Sequence, residues 1–425
     1  MLIQRQEYLN KLIALKDKKI IKVVTGVRRC GKSKLLEMYR KWLLEQGVEE
    51  ERIVSINFED LDFEDLTDYK KLHTYLKEHL VKDNMTYIFL DEIQNVEQFP
   101  KVVDSLYIKD NVDIYITGSN AHMLSSEIAT LLSGRYIQIE MLPLSFKEYM
   151  ISTGSMNDRG IKYVDYLQNS SFPYTLELEG QSDEIRSYLE GLYNTIVVKD
   201  IINHSKISEP RMLKSILKFI FDNIGNPLSS KKIADTMTSS GRRIDTRTVE
   251  KYLDALTESY IIYQAKRYNI KGKQYLKTLE KYYVVDIGLR LMLFGSKQID
   301  AGRILENIVY LELLRRGYDV YVGKVDEFEV DFVAQNGKGT TYFQVALSVR
   351  DEKTLDRELR SLRAIKDHYP KILLTMDDDP EVHYDGIRRI NARDWLLGLE
   401  EGKIFPKNPP KLPKKFTLYN HLGLR

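Results

Sequence analysis

Cysteine is almost absent from this 425-residue chain, in which Cys30 is the single one. One cysteine excludes an internal disulfide. The sequence also lacks an apolar N-terminal signal segment and any apolar run long enough to span a membrane, so we expect a cytoplasmic protein with no membrane partner. No long disordered tract stands out, and a net charge of +2 argues neither for nor against a nucleic-acid partner. The length predicts two to four domains.

A loop near the N-terminus carries the most informative pattern. Residues 26–33 read G-V-R-R-C-G-K-S, which is the complete phosphate-binding pattern G-x-x-x-x-G-K-[ST]. The segment over 18–25 that precedes it is predicted to be a short buried strand, and apolar residues at helical spacing follow the loop over 34–44. This strand–loop–helix context is the one that the motif requires, and the helix N-terminus favours an anion. The pattern therefore predicts binding of a nucleoside triphosphate.

Each part of the loop has an expected role. Gly26 and Gly31 allow backbone N–H groups to turn toward phosphate oxygens. Lys32 is expected to reach the β- and γ-phosphates, and the Ser33 hydroxyl to ligate Mg²⁺. Two interpretations of Cys30 stay open: the helix N-terminus lowers the pKa of a reactive thiol, or the residue is a small filler whose backbone N–H matters. The predicted nucleotide-binding residues are Gly26, Val27, Arg28, Arg29, Cys30, Gly31, Lys32, Ser33 and Lys34.

A second motif indicates hydrolysis. Residues 87–92 read Y-I-F-L-D-E, an apolar strand that ends in two carboxylates, and we predict that it neighbours the first strand in a parallel sheet. Asp91 is expected to hold Mg²⁺ through a water molecule, and Glu92 to polarise the attacking water. A third predicted strand, 112–117, leads to Ser119 and Asn120, either of which is a candidate to orient water beside the γ-phosphate. The spacing does not choose between them, and an ordinary turn that caps the next helix is the alternative.

Residues 1–149 resemble an AAA-type P-loop ATPase of the microbial group whose loop carries paired arginines, here Arg28 and Arg29. The resemblance implies ATP and Mg²⁺ as cofactors, and no guanine-reading N-K-x-D segment is evident. Arg28 and Arg29 either contact phosphate or are solvated. Arg135 is the implied arginine finger for a neighbouring subunit of a homo-oligomer, and a salt-bridged arginine that opens a strand is the alternative. The motifs that carry the resemblance are 26–33, 58–60, 90–94, 116–120, 132–135 and 142–149.

Two further segments follow the predicted ATPase domain. The resemblance implies a helical lid over 150–209, whereas 210–285 has the pattern of a winged helix with a helix-turn-helix and a two-stranded wing. Twelve Lys and Arg against six Asp and Glu over 231–285 favour DNA contact, although winged helices also bind proteins. Tyr268 and Tyr275 lie among the basic residues, where they either stack on bases or pack. The predicted DNA contacts are the lysines of the wing together with Arg242, Arg243, Arg247 and Lys251.

Residues 286–400 have the predicted order helix, strand, strand, strand, helix, strand and resemble the PD-(D/E)xK nuclease core. In an active version, acidic residues bind Mg²⁺ and a lysine positions or activates water. Ala346 stands at the position of that lysine, so we predict a degenerate site that serves the fold or binding. Arg350 and Lys353 lie downstream and are the candidates to substitute for the lysine. The residues at the ligand positions are Glu306, Asp331 and Gln344.

These patterns predict an α/β multi-domain protein. It comprises a P-loop NTPase parallel sheet, a helical lid, a winged helix, a restriction-endonuclease-like α/β domain and an extended Pro/Lys-rich tail over 401–425. We predict Mg²⁺-dependent ATP hydrolysis whose nucleotide state moves the lid and the winged helix, with action on DNA. A slowly hydrolysing ATP-gated switch for a protein partner is the alternative, and an ATP-regulated nuclease is a third hypothesis.

Overall fold

The computed structural model is described for most of the chain. The described residues are 3–119, 132, 134–154, 158–178, 180–203, 207, 209–295 and 300–399. Asn120 and the predicted tail over 401–425 lie outside them.

Five strands in the N-terminal part of the chain form one parallel sheet. They are β1 (Ile21–Thr25), β2 (Ile53–Asn57), β3 (Thr86–Asp91), β4 (Val112–Gly118) and β5 (Tyr136–Glu140). Their order across the sheet is β2-β3-β4-β1-β5. Because β4 separates β1 from β3, the prediction that the strand ending in Asp91 neighbours β1 is wrong. An apolar run indicates burial on both faces of a parallel sheet, but it carries no information on strand order.

Helices pack on both faces of this sheet. Val24 of β1 belongs to one buried cluster with Tyr39, whereas Val23 belongs to a second cluster with Leu106. The helix before β1 is absent from the sequence predictions, and it packs Tyr8 into the first cluster. The α-helices are α1 (Gln6–Ala14), α2 (Lys32–Glu45), α3 (Tyr69–Glu78), α4 (Phe99–Tyr107) and α5 (Phe146–Ser152). Short 3₁₀ helices span Glu50–Arg52, Leu61–Thr67 and Ile93–Asn95.

The segment predicted as a lid is helical. A 3₁₀ helix, Pro173–Leu178, separates two α-helices, α6 (Arg159–Asn169) and α7 (Ser182–Thr195). α7 continues into a π-helix, Ile196–Asn203. π-helical turns are rare in proteins, and those that occur are frequently located at functional sites.

Three helices and a long hairpin come next in the chain. They are α8 (Pro210–Asp222), α9 (Ser230–Ser239), α10 (Thr246–Glu258), the short strand β6 (Pro227–Leu228) and the hairpin strands β7 (Ile262–Asn269) and β8 (Gln274–Val284). Side-chain caps begin the second and third of these helices. Ser229 accepts a hydrogen bond from the Lys232 N–H, and Asp245 accepts one from the Thr248 N–H.

The hairpin belongs to a second, nine-stranded sheet of order β13-β14-β12-β11-β10-β9-β7-β8-β6. Its other strands are β9 (Asp319–Val325), β10 (Phe328–Asn336), β11 (Gly339–Ala346), β12 (Lys371–Thr375), β13 (Val382–Tyr384) and β14 (Ile387–Asn391). The helices are α11 (Ile287–Phe294), α12 (Ala301–Arg315), α13 (Glu352–Ala364) and α14 (Ala392–Leu397). β7 pairs with β9, so strands from both sides of the predicted boundary at residue 285 share one sheet. The predicted element order also misses the helices α11 and α14 and the strands β13 and β14, and these two strands are short and partly charged.

Candidate nucleotide site

The phosphate-binding loop lies between the end of β1 and the start of α2. Gly31 precedes the helix with a φ of 106°, in the left-handed region that favours glycine. Gly26 has a φ of 143°, and a Cβ at that position would lie 2.1 Å from the Met141 carbonyl oxygen. Both glycines are therefore required by the course of the backbone, which brings the loop against the residue that follows β5.

Lys32 lies at the mouth of the loop, close to the acidic pair at the end of β3. Its Nζ donates to the carbonyl oxygens of Gly26 at 3.1 Å and Val27 at 3.4 Å. The same nitrogen lies 3.6 Å from Glu92 Oε1. The strand order thus brings together residues that are separated by about sixty positions in the sequence.

Asp91 and Glu92 have different electrostatic environments. Burial raises the pKa of Asp91 above its usual value, against hydrogen bonds from Ser33 and Thr117 that lower it. Burial also acts to raise the pKa of Glu92, but Lys32 and the side chains of Gln94, Arg28 and Ser119 bring it below its usual value. Glu92 is therefore ionised. Asp91 and the Ser33 hydroxyl, the two predicted Mg²⁺ ligands, lie against each other.

The backbone and three side chains fix the orientation of Glu92. Its φ of 52° is left-handed, and its N–H donates to Thr117 Oγ1 at 2.9 Å. Ser119 Oγ donates to Glu92 Oε2 at 3.1 Å, and the Gln94 amide donates to the same oxygen. Of the two candidates after β4, Ser119 therefore contacts the acidic pair, whereas Asn120 lies outside the described residues.

The paired arginines have different surroundings. Arg28 Nε donates to both carboxylate oxygens of Asp200, at 3.2 and 3.1 Å, and its Nη2 donates to Oδ1 at 3.0 Å. Its Nη1 donates to Glu59 at 2.9 Å, and Glu59 belongs to the 58–60 motif. Arg29 is exposed and left-handed, with a φ of 65°. Asp200 belongs to the π-helix, so the loop and the predicted lid are joined by an ion pair that the sequence does not indicate.

The remaining side chains of the loop point away from its mouth. Lys34 is exposed and pairs with Glu37 at 2.6 Å, one turn further along α2. Val27 and Cys30 are buried. Burial raises the pKa of the Cys30 thiol, so the structure disagrees with the reactive-thiol interpretation and favours the small filler.

Arg5 holds the loop in place through hydrogen bonds, and this role was not predicted from the sequence. Its Nη1 donates to the Cys30 carbonyl at 2.8 Å, its Nη2 to the Leu142 carbonyl at 2.6 Å, and its Nε to Glu148 at 2.8 Å. The side chain is 3% exposed. A single arginine before α1 belongs to no sequence pattern that would indicate a contact with a residue 25 positions further along the chain.

Arg135 lies at the opposite edge of the sheet. It directly precedes β5, and its carbonyl accepts from the N–H of Ile21 at the start of β1. Its guanidinium pairs with Asp104 of α4 and lies 5.5 Å from the centroid of the Tyr107 ring. Within one subunit, Arg135 therefore lies near the start of β1, whereas the phosphate-binding loop follows the end of that strand. In this subunit it is a salt-bridged arginine that opens β5.

The four residues predicted to contact DNA are exposed at and before α10. Within the described part of the chain, none of the four has an ion-pair partner. In the predicted wing, the exposed Lys271 pairs with Asp326 at 2.6 Å. Tyr268 and Tyr275 pack together at a centroid distance of 5.7 Å, and both pack on Tyr321. The four exposed residues are Arg242, Arg243, Arg247 and Lys251.

The predicted nuclease-like residues converge in the second sheet. Asp331 Oδ2 accepts from the Val345 N–H at 2.8 Å. Gln344 is turned toward α13, where its amide donates to Glu358 at 2.8 Å. Glu306 lies on α12 and is buried. Ala346 ends β11 and supplies no cation, and Arg350 pairs with Asp377 and Asp379 rather than with the predicted ligands.

The donors around the loop fit a nucleotide with its metal ion. Lys32 provides a cation, Ser33 and Asp91 provide adjacent oxygen ligands of the kind that Mg²⁺ prefers, and α2 presents its N-terminus.

Among the helices of the described residues, none has both the length and the apolar character to cross a membrane.

Comparisons with known proteins identify the class of the N-terminal domain. Residues 18–150 match the family model described as "AAA domain", and residues 161–300 match "Domain of unknown function (DUF8612)". An uncharacterized protein of Haemophilus influenzae is 40% identical over 400 residues, which cover 93% of this chain and 99% of that protein. Uncharacterized protein MJ1544 of Methanocaldococcus jannaschii is 30% identical over 370 residues, which cover 82% and 79%.

Two solved structures are also similar. The Walker-type ATPase PABY2304 of Pyrococcus abyssi has a TM-score of 0.47 at 16% identity, over 68% of this chain and 95% of that chain. The ORC1 protein of Aeropyrum pernix, solved in complex with DNA, has a TM-score of 0.32 at 11% identity, over 69% and 92%. The five-stranded parallel sheet, the loop at 26–33 and the match over 18–150 define an AAA-type P-loop ATPase domain. The chain therefore belongs to the family of the Haemophilus influenzae and Methanocaldococcus jannaschii proteins and carries an AAA-type P-loop ATPase domain at its N-terminal end.

Proposed function

We propose that this protein hydrolyses ATP with Mg²⁺ and that its nucleotide state is coupled to the lid over 150–209 and to a winged helix over 210–285. The observation that carries the proposal is the meeting of Lys32, Ser33 and the ionised Glu92 at one edge of the first sheet. Bound Mg²⁺–ATP supplies the electrophilic γ-phosphorus and the metal charge. The chain supplies the residues that hold it and orient water.

Each residue of the site has one proposed task. Lys32 neutralises phosphate charge, and Ser33 and Asp91 hold the metal ion, Asp91 through water. Glu92 orients the attacking water, which requires the carboxylate form that its lowered pKa provides. Ser119 holds Glu92 in place. The structure supports Ser119 in this role, and Asn120 stays a candidate from the sequence.

The contact between Arg28 and Asp200 supports coupling to the lid. Arg28 is a loop residue within reach of the nucleotide site, and Asp200 lies on the π-helix of the lid. An arginine fork matches phosphate as well as carboxylate geometry, so the phosphate oxygens of a bound nucleotide compete with Asp200 for the Arg28 guanidinium. We propose that a bound triphosphate draws Arg28 from Asp200 and releases the lid.

The second half of the chain is proposed to contact DNA through α10. Arg247 and Lys251 are four residues apart, so they lie on one face of the helix. Arg242 and Arg243 extend this exposed surface, and basic residues at a helix start suit contact with the DNA backbone. The arginine-finger role of Arg135 requires a second copy of the chain and stays a proposal for a homo-oligomer.

One observation favours a second candidate, an ATP-gated switch for a protein partner. Glu92 is held by Ser119 and Gln94 and lies 3.6 Å from Lys32, so its carboxylate is engaged on several sides. A site whose carboxylate is held in this way is expected to hydrolyse ATP slowly until binding of the partner frees the carboxylate.

Nucleotide binding tests the core of the proposal. Lys32→Ala is expected to abolish ATP binding measured by titration calorimetry with Mg²⁺. Lys34→Ala is the matched control, because the Lys34 side chain pairs with Glu37 and leaves the site. Unchanged ATP affinity in Lys32→Ala refutes the proposed site.

Salt-dependent DNA binding separates the two targets. The double variant Arg247→Ala/Lys251→Ala is expected to weaken duplex binding and to reduce the slope of log affinity against log salt by about 2. Lys218→Ala, which removes an exposed lysine of α8, is the control. No binding to duplex at low salt supports the protein-partner switch instead.

A further inference from the structure

Lys281 of β8 extends its ammonium into a group of carboxylates in the C-terminal half. Its Nζ lies 2.9 Å from Glu306 Oε1, 2.9 Å from Glu329 Oε1 and 3.9 Å from Asp331 Oδ1. The Lys281 side chain is 4% exposed, and those of Glu306 and Asp331 are 12% and 13% exposed. The wing hairpin thus supplies the cation for acidic residues that stand at the metal-ligand positions of a nuclease-like core.

Internal donors satisfy the carboxylates around this ammonium. Tyr283 donates its hydroxyl to Glu306 Oε1 at 2.6 Å, and the Val345 N–H donates to Asp331 Oδ2 at 2.8 Å. The turn before β6 covers Glu306, since a Cβ on Gly225 would lie 3.3 Å from Glu306 Oε2. The oxygens are therefore directed at fixed protein groups rather than at an open coordination position.

Charge and geometry both oppose a divalent cation here. Burial and the neighbouring Glu306 raise the pKa of Asp331 well above its usual value, although Lys281 acts in the opposite direction. A metal ion would have to displace an ammonium that already contacts three acidic groups. Among the described residues, no group of three or more His, Cys, Asp and Glu side chains is arranged to hold a metal ion.

We propose that the Lys281 ammonium takes the place of the divalent cation in this acidic cluster and fastens the wing hairpin to the C-terminal half as an ionic lock. Ala346 leaves the lysine position of the nuclease-like core without a cation. A lysine is present, but it arrives from β8 and occupies the metal position instead of activating water. The hairpin and the helix α12 are then one rigid unit, and the cluster does not cleave DNA.

Removal of Lys281 tests the lock. The full chain carrying Lys281→Met is compared with the unaltered protein by thermal unfolding in EDTA and in MnCl₂, without nucleotide. The variant leaves buried carboxylates unpaired, so we expect its Tm in EDTA to fall by about 5 °C. Mn²⁺ is expected to restore part of that loss in the variant and to leave the Tm of the unaltered protein unchanged. Lys266→Met, which removes an exposed lysine of β7, is the matched control.

Other outcomes overturn the proposal. A folded Lys281→Met variant with no Mn²⁺ response means that the ammonium does not stand in for a metal ion. If that variant does not fold, Mn²⁺ binding to the unaltered protein by electron paramagnetic resonance decides the question. Stoichiometric binding that Asp331→Asn abolishes contradicts the lock, as does Mg²⁺-dependent nicking of supercoiled plasmid that Asp331→Asn abolishes. Absence of both supports it.

Discussion

Replacement of Asp200 by Asn removes the negative charge that holds Arg28 against the π-helix Ile196–Asn203 and keeps the shape of the side chain. Three hydrogen bonds from Arg28 end on this carboxylate, at 3.0 to 3.2 Å. Glu59 remains as a second, more exposed partner of Arg28. The substitution therefore weakens one specific contact between the phosphate-binding loop and the π-helix, and it leaves Lys32 and Glu92 in place.

The size of the effect follows from burial. The Asp200 side chain is 5% exposed and that of Arg28 is 13% exposed, so solvent screens the pair only weakly. Hydrogen bonds to charged groups contribute about 1.5–3 kcal/mol net, and an amide oxygen retains part of that. A loss of about 2 kcal/mol raises the population in which the π-helix separates from the loop by about 30-fold.

Two assays read this change. Amide hydrogen exchange over 196–203 is expected to accelerate by up to about 30-fold in Asp200→Asn without nucleotide. ATP affinity is expected to rise in Asp200→Asn, because the triphosphate no longer competes with the carboxylate for the guanidinium. It is expected to fall in Arg28→Met, because the guanidinium itself is removed. Glu37→Gln is the control, since its partner Lys34 is an exposed surface residue. Unchanged exchange, or an equal loss of ATP affinity in Asp200→Asn and Arg28→Met, refutes the competition.

Three further predictions concern the loop and the packing around it. Gly26→Ala places a Cβ 2.1 Å from the Met141 oxygen at a φ of 143°, so ATP affinity by calorimetry is expected to fall by about 10-fold or more. Arg5→Met leaves Glu148 buried without its ion-pair partner and is expected to lower the free energy of unfolding in urea by about 3–5 kcal/mol; an unchanged value contradicts the anchor. Desolvation raises the pKa of Glu140 from 4.5 to about 7, so its protonated form contributes stability that is present below about pH 4.5 and lost as the pH rises through about 7. Glu140→Gln is expected to flatten this part of the stability profile, and an unaltered profile contradicts the assignment.

Local patterns in the sequence predict those parts of the site that are contiguous. The loop over 26–33 and the strand that ends in Asp91 are each contiguous in the sequence. Both occur in the structure at the positions that the motif and the apolar strand pattern predict. The placement of β4 between β1 and β3 has no such signal, because all three strands are buried at every position and each is predominantly apolar.

Pairings between distant side chains are the part that the sequence does not reveal. Arg5 meets Glu148 across 143 positions, and Arg28 meets Asp200 across 172. Lys281 looks like one of many wing lysines, yet it is buried among the carboxylates of the C-terminal half. Such contacts depend on how the elements pack, and neither periodicity nor spacing encodes them.

ATP turnover by the purified protein with Mg²⁺, alone and with duplex DNA, tests the central proposal most directly. Glu92→Gln is measured beside it and is expected to bind ATP normally while its turnover falls by about 100-fold or more, because the water-orienting carboxylate is lost. Turnover that duplex DNA stimulates and that Glu92→Gln loses is the result that the proposed function predicts. Tight ATP binding with negligible turnover under both conditions contradicts the hydrolytic proposal and identifies the nucleotide-gated switch.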